Sequence, residues 1–279
     1  MEKIKIGLEW FFNPDHLAFI VAREKGYLKE AGIEIELVEP SDHYEAATML
    51  AQGTLDVAIT EPIHLVLDTA QGHDLVGFTR FLHTDGGVMY LEKSRIRSPK
   101  DMAGRRLQYP GAPGKLGYAI AHTMMRFDGA EASATIRPVD NSFYHTNALA
   151  EDKADMATLV FYNFEVLEAR SRNLSPQFFS LKEWGVPDFC QLHLVTTRDV
   201  FRKKYDLWRG LHLVLSRAVS FLKTNPEEAR DIWQKNAQGS LDGLNAEIFN
   251  ATAACFVYDF GLSSDYLRAL TDWCAEHSL

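Results

Sequence analysis

Residues 3–38, KIKIGLEWFFNPDHLAFIVAREKGYLKEAGIEIELV, change hydrophobic period twice, and that change decides the fold class. Ile4, Ile6 and Leu8 alternate with other residues over 3–10, the period of a strand. Asp15 is placed to cap a helix whose apolar stripe is Leu17, Phe19, Ile20, Val21 and Leu28, with Gly32 closing it. Residues 33–38 then alternate strictly as a second strand. The rhythm continues outward. A helix is expected from Ser41 to Leu50 and a short buried strand over 57–60. A helix carrying Ile63, Val66 and Leu67 ends at Gly72, and a strand follows over 75–81. Strand, helix, strand with short turns is the rhythm of a mostly parallel sheet covered on both faces.

The pattern restarts after Asp85. Strands are expected over 87–92, 105–109, 134–139, 157–161 and 189–196, and helices after the turn GAPGKLG (111–117) and over 144–150. From residue 207 the chain reads as helical, with further helices starting near Pro226, Leu244 and Ser264. The expectation is an α/β protein of two lobes, with mixed sheets, helices on both faces and a helical C-terminal tail. Residues 1–85 form the first part of lobe I and 86–187 lobe II, while 188–279 return to lobe I and supply the C-terminal helices. Ligands of open α/β sheets bind beyond the carboxyl ends of strands, here the cleft between lobes.

Composition excludes several classes. Of 279 residues 46% are hydrophobic and 24% charged, which removes disordered and fibrous readings. With 29 Lys plus Arg against 38 Asp plus Glu, the net charge of −9 offers nothing to nucleic acid or an anionic membrane. No run reaches the ~18 apolar residues of a membrane span, so no direct insertion is expected. Three cysteines cannot build a disulfide framework, though they leave one pair open, and no spacing points to a metal. MEKIKIGLEW lacks the architecture of a signal peptide. The expected compartment is therefore cytoplasmic if this is the whole natural chain, and periplasmic or lipid-anchored if a signal was trimmed.

Four places carry chemistry-bearing side chains. Glu9, Trp10, Phe11, Phe12, Asn13 and His16 follow the first strand, where a flat ligand could stack on Trp10 while Glu9 or Asn13 reads its edge. Thr60, Glu61 and His64 follow the third strand across Pro62, which suits a first helical turn. Gly111, Gly114 and Lys115 sit between a strand and a helix, a place for an anion. The turn is neither a Walker A motif nor GxGxxG, so nucleotide triphosphate chemistry is disfavoured. Tyr162 and Glu165 follow a short strand, and one carboxylate can meet the ring nitrogen and exocyclic amine of an aminopyrimidine together. No Ser-His-Asp or Cys-His arrangement is legible. Cys190, Cys255, Cys274, His193 and His212 read as packing residues.

These residues carry a resemblance. LEWFFNPDHLAFIVAREKGYLKEAGIEIELVEP with the later LAQGTLDVAIT resembles the opening lobe of the NMT1/THI5-like periplasmic-binding-protein superfamily. SPKDMAGRRL resembles its entry into the second lobe, and NPEEARDIW its helical tail. The resemblance covers most of the chain and is nearest to formylaminopyrimidine-binding proteins of thiamine salvage and to hydroxymethylpyrimidine phosphate synthases. It implies a type II periplasmic-binding-protein fold. It further implies a binder of a small heterocycle, foremost a thiamine pyrimidine precursor, acting as the substrate-binding component of an ABC-type uptake system with a permease as partner. Trp10 matches a tryptophan of both pyrimidine branches, Gly111 to Lys115 the synthase phosphate loop, and Tyr162 and Glu165 an aromatic and a glutamate of the binding proteins. The alternative it implies is a cytosolic enzyme related to the synthase, in which His64 is the reactive residue. There the synthase lysine that carries pyridoxal phosphate falls on Thr60, which cannot form a Schiff base, and of the cysteine cluster only Phe189-Cys190 remains. The expectation is therefore a non-enzymatic binder without a cofactor.

Overall fold

The computed structural model describes residues 1–40, 46–237, 239–259 and 261–279. In chain order the strands are β1 (Glu2–Gly7), β2 (Ile33–Val38), β3 (Val57–Thr60), β4 (Leu75–His83), β5 (Gly86–Leu91), β6 (Arg106–Gln108), β7 (Arg137–Val139), β8 (Met156–Phe161), β9 (Pro176–Ser180) and β10 (Gln191–Thr197). The helices are α1 (Leu17–Glu24), α2 (Tyr27–Glu30), α3 (Ala46–Ala51), α4 (Pro62–Ala70), α5 (Lys115–Phe127), α6 (His145–Ala150), α7 (Leu167–Ser171), α8 (Arg198–Lys203), α9 (Tyr205–Thr224), α10 (Pro226–Asn236), α11 (Gly243–Cys255) and α12 (Ser264–Glu276).

The chain divides into two compact units. Unit 1 is Met1–His83 with Gln191–Arg268, and unit 2 is Thr84–Cys190 with Ala269–Leu279. The last eleven residues, at the end of the C-terminal helices, group with unit 2. They are tied there by Trp273 Nε1, which donates to Thr123 Oγ1 at 2.9 Å.

The sheet of unit 1 has the order β2-β1-β3-β10-β4. β1 runs parallel to β2 and β3, whereas β10 lies antiparallel to both β3 and β4. The mostly parallel sheet expected from the first ninety residues is therefore a mixed one. β10, more than a hundred residues later in the chain, occupies the place beside β3 that local rhythm would give to β4. α1 is buried at every position from Leu17 to Ala22, because it lies on the sheet and is covered by α9 and α10. Its Phe19 meets Phe81 edge-on at 5.3 Å.

Unit 2 repeats the plan with the order β7-β6-β8-β5-β9. β6 is parallel to β7 and β8, and β5 is antiparallel to β8 and β9. Its core gathers Met89, Leu91, Ala148, Leu149, Ala157, Val160 and Val166. β9 had no counterpart in the sequence reading. Residues 172–180, RNLSPQFFS, mix a turn signal with only two aromatics, too short a pattern to separate from loop.

Local differences have local causes. The first strand stops at Gly7 rather than at residue 10. Leu8 still donates to the Val38 carbonyl at 2.9 Å, but Pro14 holds Asn13 extended (φ −149°, ψ 176°) and the chain must bend to reach it. The cap before α1 is Asn13, not Asp15, and it caps a single 3₁₀ turn, Pro14–His16, that runs into the α-helix. That helix does not continue to Gly32: Gly26, at φ +75°, breaks it into α1 and α2. The expected helix start at Ser41 lies outside the described residues. Cys190, Cys255 and Cys274 are free thiols, so the one disulfide left open by the count is not formed.

Candidate functional site

In unit 1 the bend after β1 exposes one face of an aromatic run and buries a carboxyl–imidazole pair. Trp10 and Phe11 lie with ring centroids 4.2 Å apart, and Phe11 is among the exposed large apolar residues. Phe12 turns inward, stacked on Trp233 at 5.0 Å and on His16 at 5.9 Å. His16 is fully buried and its Nε2 lies 3.1 Å from Glu9 Oε2. Glu9 Oε1 is buried and has no hydrogen-bond partner among the described residues. Asn13 was expected to help read a ligand edge, but its amide is engaged within the loop. Its Oδ1 accepts from Asp15 N–H at 2.8 Å, and its Nδ2 donates to the Phe11 carbonyl at 2.9 Å.

The end of β3 gathers a second group. Glu61 stands at the N-cap of α4, yet its side chain makes no capping bond; its Oε2 lies 3.1 Å from His64 Nε2 instead. Burial would lower the His64 pKa, but the Glu61 hydrogen bond and charge, with Asp68, outweigh it and the pKa is raised. Thr60 is buried and pairs with His193 across the β3–β10 ladder. His193 is fully buried and burial pushes its pKa down to about 4. The Glu61 charge and the Thr60 backbone offset only part of that, and among the described residues neither ring nitrogen has a hydrogen-bond partner of good geometry. His193 is buried as expected of a packing residue, and its place beside Glu61 and His64 comes from the β3–β10 pairing. Only strand alternation, which sets His193 on the same face as Val195, hinted at it.

In unit 2 the turn after β6 closes on itself. Gly111 takes φ +71°, Gly114 N–H donates to the Gly111 carbonyl at 2.7 Å, and Tyr109 Oη donates to the Gly114 carbonyl at 2.8 Å. The first turn of α5 has no side-chain cap. Lys115, expected to add charge for an anion there, instead donates to the Ser278 carbonyl at 2.7 Å.

The end of β8 is built differently. Val88 pairs with Thr158 and Gly87 with Val160, so Leu159 is bulged out and held at φ +61°. Such bulges re-aim the strand beyond them. Tyr162–Val166 follows as one turn of π-helix before α7, a form frequent at functional sites. The Tyr162 ring is partly exposed, with the Arg170 guanidinium 5.2 Å from its centroid and Phe178 edge-on at 5.5 Å. Glu165 turns inward, and its Oε2 accepts the Phe161 N–H at 2.9 Å. Burial raises its pKa to about 7 against the pull of two backbone N–H groups, its own and that of Phe161. This carboxyl can therefore hold or release a proton near neutral pH, the property needed to pair with an amidine-like edge. Among the described residues no three His, Cys, Asp or Glu side chains gather as a metal would need, and no helix is long and apolar enough to cross a membrane.

Comparison with known proteins agrees with this architecture. The family described as NMT1/THI5 like matches residues 13–229. A protein of Haemophilus influenzae named for thiamine biosynthesis is 28% identical over 88% of this chain and 76% of its own length. The formylaminopyrimidine-binding protein of Halalkalibacterium halodurans is 22% identical over 85% and 71%. A 4-amino-5-hydroxymethyl-2-methylpyrimidine phosphate synthase of Legionella pneumophila is 24% identical over 91% and 80%. Among solved structures, the periplasmic aliphatic sulphonate binding protein of Escherichia coli superposes with a TM-score of 0.76 at 14% identity, covering 100% of this chain and 88% of that one. The alkanesulfonate-binding protein of Xanthomonas axonopodis pv. citri gives 0.74 at 16%, covering 99% and 93%. At those identities the likeness shows the fold, which is that of the periplasmic binding proteins.

Proposed function

The chain belongs to the NMT1/THI5-like family, and from that premise we propose that it is a binding protein for a small aromatic heterocycle, foremost an aminopyrimidine of the thiamine precursor type. The observation that carries the reading is Glu165: a carboxyl buried on a π-helical turn, with its pKa raised to about 7 and a partly exposed tyrosine three residues before it. An aminopyrimidine presents a ring nitrogen and an amine side by side, and one carboxyl sharing one proton meets both. Tyr162 supplies a face for the ring in unit 2. In unit 1 we assign stacking to Trp10 and hydrogen bonding to Glu9, Thr60 and His64. Asn13 acts there by holding the loop. The N–H groups around Gly111 and Gly114, with Lys115, are assigned to an anionic substituent.

Support comes from relatives named for binding formylaminopyrimidine and for making a pyrimidine phosphate, and from the fold shared with binding proteins. The role we assign is the substrate-binding component of an ABC-type importer. It implies a permease partner and a place outside the cytoplasmic membrane, periplasmic or lipid-anchored. Calorimetric titration with formylaminopyrimidine and hydroxymethylpyrimidine tests it. One of them should bind, and Glu165→Gln should weaken it by about tenfold or more, the worth of one charge-assisted hydrogen bond. Unchanged affinity would remove Glu165 from the site. A covalent mass change at His64 after incubation with pyridoxal phosphate would replace this reading by the enzymatic one.

A further inference from the structure

A concave region lies in unit 2, at the other end of its sheet from Glu165. The carboxyl ends of β6 and β8 lead to Gly111 and Glu165, whereas the pocket is built on the start of β6, the residues just before β8 and the last residue of β5. It encloses about 360 Å³. Leu91 and Leu149 are apolar lining, and Arg95, Arg105, Arg106 and Lys93 bring four cations to it.

The acids in the pocket neutralise only two of these cations. Arg106 Nη2 lies 2.8 Å from Asp155 Oδ1, with Nη1 on the Asp152 carbonyl at 2.6 Å, and Lys93 Nζ lies 3.1 Å from Asp152 Oδ1. Arg95 and Arg105 make no side-chain ion pair or hydrogen bond among the described residues. The charge of Asp155 also reaches Arg105, yet four cations stand against two carboxylates in one pocket of a chain whose net charge is −9. Arg95 is also held at φ +60°, closing the 3₁₀ turn Glu92–Ser94, a backbone state in which glycine or asparagine would be the easier residue. Paired guanidinium forks match the oxygens of a phosphate, and the apolar lining matches an organic body beneath it.

We propose that this pocket binds a doubly charged organic anion, a phosphate monoester on a small apolar group, at a site separate from the one assigned to the heterocycle. Titration calorimetry of the full chain with phenyl phosphate tests it at low and at physiological salt. Saturable binding is expected, weakened about tenfold or more in Arg95→Gln/Arg105→Gln. It should be unchanged in Lys29→Gln/Lys235→Gln, which removes the same charge from exposed sites in unit 1. Benzenesulfonate, with one charge on the same ring, should bind at least about tenfold more weakly, as two guanidinium groups face two charges. Vesicles of phosphatidylcholine with and without phosphatidic acid separate a lipid headgroup from a soluble ester; retention on either source supports the phosphate site. Absence of phenyl phosphate binding, equal loss in both double variants, or retention only on polyglutamate would overturn the proposal. Formylaminopyrimidine titrations of the same variants should not change, so the two sites fail or stand independently.

Discussion

Glu9 Oε2 and His16 Nε2 lie 3.1 Å apart across the bend that links β1 to α1, with the imidazole fully buried. Burial would lower the pKa of His16, but the charge and hydrogen bond of Glu9, with Asp15 and the Asn13 backbone, outweigh it and the pKa is raised. Nδ1 lies 3.1 Å from the Asn13 carbonyl and 3.2 Å from its N–H, so either protonation state finds a partner. A histidine pKa above its unfolded value stabilises the fold fully below about pH 6.5, and the contribution is lost as pH rises through the folded pKa. Replacing Glu9 by Gln should bring the His16 pKa below 6.5, read from its ring resonances by NMR, and remove this acid-side stabilisation. An unaltered His16 titration would mean that Glu9 does not hold the proton.

Asn13 should matter for stability before it matters for ligand. Asn13→Ala deletes the acceptor for Asp15 N–H and the donor to Phe11, and is expected to cost roughly 1–2 kcal/mol in urea unfolding. Asn13→Asp, which keeps the acceptor, should recover most of it. Equal losses in both would point to the buried amide donor as the dominant contact.

Glu165 ties ligand binding to pH. Its folded pKa of about 7 stands above the ordinary 4.5, so its contribution to stability is complete below about pH 4.5 and is lost as pH rises through about 7. Relative to Glu165→Gln, the wild type should lose on the order of 3 kcal/mol between pH 4.5 and pH 8 (about 2.5 units at 1.36 kcal/mol each). If one proton is shared with an aminopyrimidine, affinity above about pH 7 should fall about tenfold per pH unit, and the Gln variant should be flat there. Parallel pH profiles for the two proteins would exclude a titrating Glu165.

The turn before α5 depends on a missing side chain. A Cβ at Gly117 would stand 2.4 Å from Cγ of Tyr109, whose hydroxyl holds the Gly114 carbonyl. Gly117→Ala must displace that buried ring and should destabilise by about 1–3 kcal/mol. Pairing it with Tyr109→Leu should return part of the loss, and full additivity of the two changes would show that the ring is not the obstacle.

Lys115 separates structure from recognition. Its bond to the Ser278 carbonyl is exposed, so Lys115→Ala should change stability by less than about 1 kcal/mol. A loss of affinity for phosphorylated hydroxymethylpyrimidine of about tenfold, with no loss for the unphosphorylated compound, is expected if the lysine also meets the anion. Equal affinities for wild type and variant would leave Lys115 as a tether of the C-terminus alone.

Much of this protein could be read from local pattern. Alternation at Ile4, Ile6, Ile33 and Ile35, helical spacing at Leu17, Ile20 and Val21, and glycines at 53 and 72 mark elements through interactions within a few residues. The α/β class and the helical C-terminal region followed from them, and LEWFFNPDH pointed to the family. The side chains at Trp10, Glu165 and His64 were named on the same grounds, since strand ends and helix starts in such folds are where ligands meet the chain.

Other features were settled by tertiary structure, because they depend on contacts between distant residues. No local signal tells β10 to insert antiparallel between β3 and β4, and that insertion alone brings His193 opposite Thr60, 133 positions away. The C-terminal residues join unit 2 through Thr123 and Trp273, 150 positions apart. Asn13 rather than Asp15 caps the first helix because Pro14 fixes where the turn starts. The pKa of Glu165 rises because the π-helical turn after β8 carries the carboxyl out of water, and the sequence holds the residue but not its depth. Periodicity records what each residue needs, a buried face or an exposed one. Which distant segment satisfies that need is decided only when the whole chain closes around it.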